Sequence, residues 1–331
     1  MAAERASSGS RVAGTGGRTA NLRAQWVTQR ERGSLALLRL MTALSLRLGR
    51  PAGRCVLHGI AVYFFLFAPA ARSASRQYLR RALGREPTAY QRYRQIFSFA
   101  ATIHDRIYLI NDRHHLFDIT LHGEDVVKAY LDRGEGAFLM GAHLGSFELM
   151  RALGRRQPGL RVSMAMYEGN ARKINTVLAA VNPRLTLDII SLGTIDSMLQ
   201  IRARLDAGGF VGVLGDRTLG DEPFERVQFL GVPACFPTGA MRAAAVLQRP
   251  VIFMVGLYRG GNHYHAVFEP LADFSTTAPS GRDAAVRAAT RRYAAILERH
   301  CAADPYNWFN FFDFWREPDC PDGHRRVRSG Q

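Results

Sequence analysis

From about residue 117 onward, short apolar runs alternate with longer segments whose apolar residues recur every three or four positions. The apolar runs include "FDITLHG", "GAFLMGAHLG", "LRVSMAMYEG", "LDIISLG" and "FVGVLGD". A period of two or an unbroken apolar run indicates a strand, and a period near 3.6 indicates a helix. The alternation predicts an α/β fold with a mostly parallel central sheet flanked by helices. In such sheets ligands bind beyond the carboxyl ends of the strands.

Four segments are expected along the chain. Residues 1–24 form a basic leader rich in Ser, Gly, Ala and Arg, which has no apolar core of a signal peptide and is expected to be disordered. Residues 25–116 form a helical, membrane-associating region, and residues 117–317 form the α/β domain. Residues 318–331 are expected to be a flexible tail.

The N-terminal region carries most of the positive charge. The formal net charge is +16, and residues 1–100 contain 17 arginines, no lysine and three acidic residues. Such asymmetry indicates an anionic partner, either a membrane surface or a nucleic acid. The arginines flank apolar helices, and no nucleic-acid-binding module is recognisable, so a membrane surface is favoured and nucleic acid is not expected.

Two helical segments in this region carry the membrane prediction. "SLALLRLMTALSLRLGR" is a basic amphipathic helix, and residues 56–71, "VLHGIAVYFFLFAPAA", are apolar with Arg50, Arg54, Arg72 and Arg76 around them. A full span needs about 20 apolar residues. We therefore expect the second segment to lie in the membrane surface rather than to span it; the alternative is a buried core helix.

The four cysteines are widely separated and include no CxxC pair. Neither a disulfide framework nor a structural zinc site is expected, and no metal is expected elsewhere.

The first candidate site is the run "HLGSFE", in which His143 precedes Glu148 by five residues. If His143 lies in a strand-to-helix turn, Gly145 allows the tight turn and Ser146 caps the helix. Glu148 in the first helical turn could then orient His143 as a general base. Either donors near Arg217 or backbone amides around Gly145 and Ser146 could support an oxyanion. The alternative is an ordinary loop histidine, with Glu148 placed by the helix dipole. Spacing alone favours that alternative.

Further candidates follow other predicted strands. Asp216 and Arg217 end the strand "FVGVLGD", and a long loop then leads to a helix starting near Thr238. An arginine there can hold a phosphate or an anionic head group, and a helix N-terminus can receive an anion; the alternative for Asp216 and Arg217 is a local ion pair. Arg172 and Lys173 are candidate substrate-binding residues or part of a solvated helix face. No GxSxG motif is present, so the nucleophile is expected to be a substrate hydroxyl.

Residues 305–315, "PYNWFNFFDFW", are unusually rich in aromatic side chains. The simpler interpretation is a packing segment across the core. The alternative is part of an acyl-chain tunnel or a membrane-facing lip.

Taken in order, these motifs resemble the glycerolipid and lysophospholipid acyltransferase superfamily, and within it the late acyltransferases of lipid A assembly. "HLGSFE" is similar to the His-x4-Asp/Glu motif, and the resemblance covers about residues 26 to 316, including "RERGS", "LRLGR" and "WFNFFDFW". Many relatives carry Glu-Gly-Thr-Arg at the third motif, where this chain has Gly-Asp-Arg-Thr, with Arg217 as the counterpart of their arginine.

The resemblance implies transfer of a fatty acyl group from acyl carrier protein or coenzyme A to a hydroxyl or amine of a lipid. It implies His143 and Glu148 as catalytic residues and Arg172, Lys173, Asp216 and Arg217 as substrate-binding residues. Thr238 is a further substrate-binding candidate because of its place at a helix N-terminus. It also implies no cofactor and a location at the cytoplasmic face of a bacterial inner membrane, with peripheral or monotopic attachment favoured over a single span. The alternative is a non-catalytic lipid-binding or assembly protein with the same fold.

Overall fold

The computed structural model describes residues 35–167, 175–176, 181–182, 188–193, 195–217 and 222–315. The predicted leader and tail, and the candidates Arg172 and Lys173, lie outside the described residues. Helices are labelled in chain order: α1 Leu35–Phe67, α2 Pro69–Leu83, α3 Ala89–Ile110, α4 Glu124–Asp132, α5 Phe147–Arg156, α6 Ile195–Asp206, α7 Gly239–Val246 and α8 Arg282–Ala303.

A seven-stranded sheet forms the centre of the α/β part. Its strands are β1 Asp118–His122, β2 Phe138–Gly141, β3 Val162–Tyr167, β4 Ile189–Leu192, β5 Phe210–Leu214, β8 Pro250–Gly260 and β9 His263–Asp273, in the order β1-β9-β8-β2-β5-β3-β4. Among the described residues of this sheet, β8 and β9 pair antiparallel and the other five pairings are parallel. The predicted fold class is therefore confirmed.

Alternate residues of the central strands face opposite layers. Phe138 and Met140 of β2 belong to one buried cluster, with α7, α8 and the C-terminal aromatic residues. Leu139 of the same strand belongs to a second cluster, with α1, α3 and α5. Because strand side chains alternate with a period of two, the sheet is covered on both faces.

The predicted long loop before Thr238 is wrong over most of its length. A separate antiparallel hairpin, β6 Phe224–Phe229 and β7 Val232–Pro237, occupies it. The two turn residues, Leu230 (φ 51°) and Gly231 (φ 77°), both have positive φ, as a type I′ turn requires. Leu-Gly is not a usual signal for that turn, so the sequence did not indicate a hairpin.

The hairpin also carries a disulfide-bonded cysteine. Cys235 on β7 is disulfide-bonded, whereas Cys55 and Cys301 are free thiols. The expectation that the cysteines stay unpaired is therefore wrong for Cys235. Spacing in the sequence does not show which segments meet within the short distance that a disulfide needs.

The N-terminal helices meet at sharp breaks. Within α1, Gly49 is non-helical (φ 81°, ψ 171°) just before Pro51, and α1 ends at Phe67 before Pro69 opens α2. In the described part of the chain no single helix is long and apolar enough to cross a membrane. Residues 41–67 and 69–83 meet that test only as a pair, bent by 93°.

A buried polar network joins α1 to the α/β part. Arg50 donates two hydrogen bonds to Asp105 of α3, at 2.7 and 2.8 Å, and Tyr264 of β9 donates a third at 2.7 Å. The Asp105 side chain is fully buried. Arg50, expected to face lipid head groups, is therefore largely used inside the protein.

Candidate active site

His143 lies in the turn between β2 and α5, at the carboxyl end of the central parallel strands. β5 is the neighbour of β2, and Asp216 follows β5 by two residues. Parallel strands bring their carboxyl ends to one edge of the sheet, so the two residues meet there.

The local turn is built as the sequence predicted. Gly145 has φ +68°, Ser146 is the N-cap of α5 and accepts a hydrogen bond from the Leu149 amide at 3.2 Å, and Glu148 lies in the first turn. A Cβ on Gly145 would lie 2.1 Å from the Gly256 carbonyl oxygen. Glycine is therefore required both for the backbone conformation and for the close approach of β8.

The imidazole of His143 pairs with Asp216 and not with Glu148. Nδ1 of His143 lies 2.8 Å from Oδ1 of Asp216. The His143 side chain is 28% exposed, while that of Asp216 is fully buried. Protein thus covers the Asp216 side of the pair, and part of the imidazole is exposed.

Three further donors hold the other oxygen of the Asp216 carboxylate. Oδ2 accepts hydrogen bonds from the His143 amide at 3.0 Å, from Trp308 Nε1 at 3.1 Å and from Asn310 Nδ2 at 2.9 Å. A buried carboxylate is stable only when such donors replace water.

These contacts set the charges of the pair. Burial raises the pKa of Asp216, but His143 and its hydrogen bonds, together with Arg217, outweigh burial and hold that pKa well below its usual range. Burial and the Arg217 charge lower the pKa of His143, against the opposing effect of Asp216. At neutral pH the acid is ionised and the imidazole is neutral. Nδ1 therefore carries the proton, and Nε2 has the free lone pair that a base needs.

The hydrogen bond expected between Glu148 and His143 is wrong. Glu148 is 6% exposed and its Oε1 accepts from Arg151 Nη2 at 2.5 Å and Arg151 Nε at 2.9 Å, while Arg155 Nη1 lies 3.8 Å away. Arg151 is three residues along the same helix, where side chains share a face. The Glu148 carboxylate therefore pairs with Arg151, its neighbour on α5.

The amides suggested for an oxyanion are also engaged elsewhere. The Gly145 amide donates to the Asn307 carbonyl at 2.8 Å and the Ser146 amide to the Gly256 carbonyl at 2.6 Å. Gly145 and Ser146 therefore support the turn, and their amides do not point at a reacting group.

Residues 307–310, here called the clamp segment, hold the histidine turn in place. The Phe309 amide donates to the His143 carbonyl at 2.7 Å, and Leu144 and Trp308 form a bridge of β type. The Asn307 side chain exchanges two hydrogen bonds with the Tyr258 backbone, at 2.8 and 3.0 Å. The aromatic C-terminal run is therefore a packing segment, as the simpler interpretation had it, and it also supplies donors to Asp216.

Arg217 contacts Asn310 of the clamp segment. Its Nε donates to Asn310 Oδ1 at 2.8 Å, and its guanidinium lies 5.6 Å from the centre of the Phe312 ring. Asn310 thus bridges Arg217 and Asp216. Burial lowers the pKa of Arg217 to about 10, against the effect of Asp216, so the guanidinium stays charged.

Thr238 is buried and its hydroxyl is used within the fold. Oγ1 donates to the Pro223 carbonyl at 3.0 Å and accepts from Arg242 Nε at 3.2 Å. Thr238 occupies the N-cap position of α7 without a side-chain cap. Its role in substrate binding stays a prediction.

Sequence reasoning did not identify Trp308 and Asn310 as members of the site, nor Asp216 as the partner of His143. The one available signal was the position of Asp216 at a strand end. Among the residues that the structure describes, no group of three or more His, Cys, Asp or Glu side chains could hold a metal ion.

A partly exposed histidine and a buried aspartate thus lie side by side at adjacent strand ends, the edge at which ligands bind in parallel α/β sheets. A search of curated proteins finds no match. The family model for bacterial lipid A biosynthesis acyltransferases matches residues 30–317, so the chain belongs to that family. It is an acyltransferase that acts on a lipid acceptor.

Proposed function

We propose that the protein transfers a fatty acyl group directly from a thioester of acyl carrier protein or coenzyme A to a hydroxyl or amine of a lipid, with His143 as general base. The observation that carries this proposal is the 2.8 Å contact between Nδ1 of the partly exposed His143 and Oδ1 of the buried Asp216. We assign to Asp216 the orienting role that was expected of Glu148.

The steps follow from the protonation states. His143 Nε2 takes the proton of the acceptor hydroxyl, and the hydroxyl oxygen attacks the thioester carbonyl carbon. The buried Asp216 carboxylate stabilises the imidazolium, as the acid of a hydrolase triad does. The tetrahedral intermediate collapses, the carbon–sulfur bond breaks, and the thiolate takes the proton back from His143. An ester and a free thiol result.

We assign to the positive charge of Arg217 the stabilisation of the oxyanion. Its charge lies near enough to His143 to lower the histidine pKa, and the amides of Gly145 and Ser146 are engaged elsewhere. A partly desolvated cation acts strongly on a developing negative charge.

Purified protein with palmitoyl coenzyme A, palmitoyl acyl carrier protein and a lipid A precursor in detergent micelles tests the chemistry by mass spectrometry. His143→Ala should abolish acyl incorporation. His263→Ala is the matched control because His263 also pairs with an aspartate, Asp118 at 2.9 Å, but both side chains are exposed, at the starts of β9 and β1. Undiminished incorporation in His143→Ala would contradict the proposal and favour the non-catalytic lipid-binding alternative.

We also propose that the N-terminal helices attach the enzyme to an anionic membrane, at the cytoplasmic face of the inner membrane. On α1 only Leu57 and Ala61 among residues 56–67 are buried apolar side chains. Six large apolar residues of that stretch are exposed: Val56, Val62, Tyr63, Phe64, Leu66 and Phe67. One-sided burial argues against a core helix, because exposed patches of this kind mark interaction surfaces.

Flotation with vesicles of phosphatidylethanolamine and phosphatidylglycerol tests this attachment. The double variant Phe64→Asp/Phe67→Asp should stay with the soluble fraction. Leu199→Asp/Val246→Asp is the control, since both residues are exposed apolar side chains on α6 and α7. Flotation of the Phe64/Phe67 variant at the wild-type level would refute the proposed surface.

A further inference from the structure

A chain of buried side chains connects the N-terminal helices to the catalytic pair. Ser75 of α2 donates to Gln95 Oε1 of α3 at 2.6 Å, and Gln95 Nε2 donates to the Trp308 carbonyl at 2.6 Å. Trp308 Nε1 then donates to Asp216 Oδ2 at 3.1 Å. Ser75, Gln95 and Trp308 are completely buried.

The indole of Trp308 has no freedom to turn away from Asp216. Its ring centre lies 4.8 Å from those of Tyr78 and Phe314 and 5.4 Å from that of Phe229. Close packing of large rings fixes their orientation. The indole N–H is therefore aimed at one oxygen of the carboxylate.

Asn310 is fixed from both ends of its amide. Because Oδ1 accepts from Arg217 Nε, Nδ2 must be the group that faces Asp216. Asn310 is 2% exposed. It holds the acid and the cation of the site at defined positions on either side of one amide group.

We propose that Trp308 and Asn310 are positioning residues, which hold Asp216 Oδ2 so that Oδ1 faces His143 Nδ1, with Ser75 and Gln95 anchoring the clamp segment from α2 and α3. A carboxylate whose Oδ2 accepts three hydrogen bonds cannot rotate without breaking them. This inference rests on the proposed function, since it concerns the orientation of the proposed base.

Trp308→Phe tests the proposal because it removes the N–H and keeps most of the ring. With palmitoyl coenzyme A and a lipid A precursor in micelles, kcat should fall about ten- to a hundredfold, the cost of misplacing a catalytic group, with little change in KM. The acidic limb of the kcat profile should move to higher pH. Asp216 with one donor fewer keeps more negative charge toward His143, which favours the imidazolium.

Trp315→Phe is the matched control. Trp315 lies in the same aromatic cluster, 5.9 Å from Trp308 between ring centres, and its buried Nε1 has no hydrogen-bond partner in the described structure. This variant should keep kcat and its pH profile. Asn310→Leu provides a second test because it removes the amide that donates to Asp216 Oδ2. Gln95→Leu should give a weaker effect of the same sign.

The outcomes separate the two proposals. If His143→Ala is inactive but Trp308→Phe and Asn310→Leu behave like Trp315→Phe, the positioning role is wrong and the catalytic role stands. If Trp308→Phe and Asn310→Leu fail to melt cooperatively while Trp315→Phe folds, their role is structural and the inference is overturned. If His143→Ala retains activity, the proposed function fails, and the positioning role fails with it.

Discussion

Asp216 Oδ1 lies 2.8 Å from Nδ1 of His143, although 73 positions separate the two residues along the chain. Glu148, only five positions away, instead pairs with Arg151. The acid that orients the base is thus chosen by the pairing of β2 with β5, and not by distance in the sequence.

Replacing Asp216 and Glu148 one at a time should show which of the two carboxylates orients His143. Asp216→Asn should lower kcat by about 10⁴-fold, because an amide neither stabilises the imidazolium nor enforces the Nδ1–H tautomer. Glu148→Gln should retain far more activity and act on stability, where a broken buried ion pair costs about 3 kcal/mol. Kinetics and urea unfolding of both variants check this; equal losses of kcat would restore Glu148 to the catalytic role.

Activity should persist below the ordinary titration range of histidine. Burial and Arg217 lower the pKa of His143, so the basic form is retained as the pH falls and the acidic limb of kcat/KM lies below about 6.5. Arg217→Gln removes a charge that lowers this pKa and should move the limb upward. A limb at or above 6.5 in the wild type would show that burial and Arg217 do not lower the pKa of His143.

The Gly145 turn should be intolerant of any side chain. Gly145→Ala combines a positive φ with a Cβ 2.1 Å from the Gly256 oxygen, and should lower the free energy of unfolding by about 3 kcal/mol. Gly134→Ala is the control, since Gly134 has φ +65° with no atom within 4 Å of an added Cβ. It should cost only the conformational part, about 1 kcal/mol. Equal costs by thermal unfolding would show that the contact with β8 is not a constraint.

The attachment of α1 should depend on Asp105. Asp105→Asn leaves the largely buried Arg50, whose side chain is 11% exposed, without its counter-charge and should destabilise the chain by about 3–5 kcal/mol. Tyr264→Phe removes a single hydrogen bond to the same carboxylate and should cost about 1 kcal/mol. Limited proteolysis between α1 and α3 gives the readout. Resistance equal to that of the wild type would mean that apolar contacts alone hold α1.

Local patterns in the sequence determined much of the architecture. The alternation of apolar runs and amphipathic segments predicted the parallel sheet, and Gly145, Ser146 and Glu148 took the turn, cap and first-turn positions expected of them. These features depend on neighbours within a few residues, which the sequence displays directly. The hairpin of β6 and β7 was missed because its Leu-Gly turn carries a weak local signal.

Only the tertiary structure decided the composition of the site. Strand order placed Asp216 beside His143. The fold of residues 307–310 brought Trp308 and Asn310 to the same carboxylate. Glu148 pairs with Arg151 instead. Hydrogen bonds between side chains are decided over a few ångströms, whereas the segments that supply them are up to 94 positions apart. The sequence by itself determined that a histidine lies at a strand end, where it could act as a base. The packing of the sheet and of the C-terminal segment determined which carboxylate pairs with that histidine.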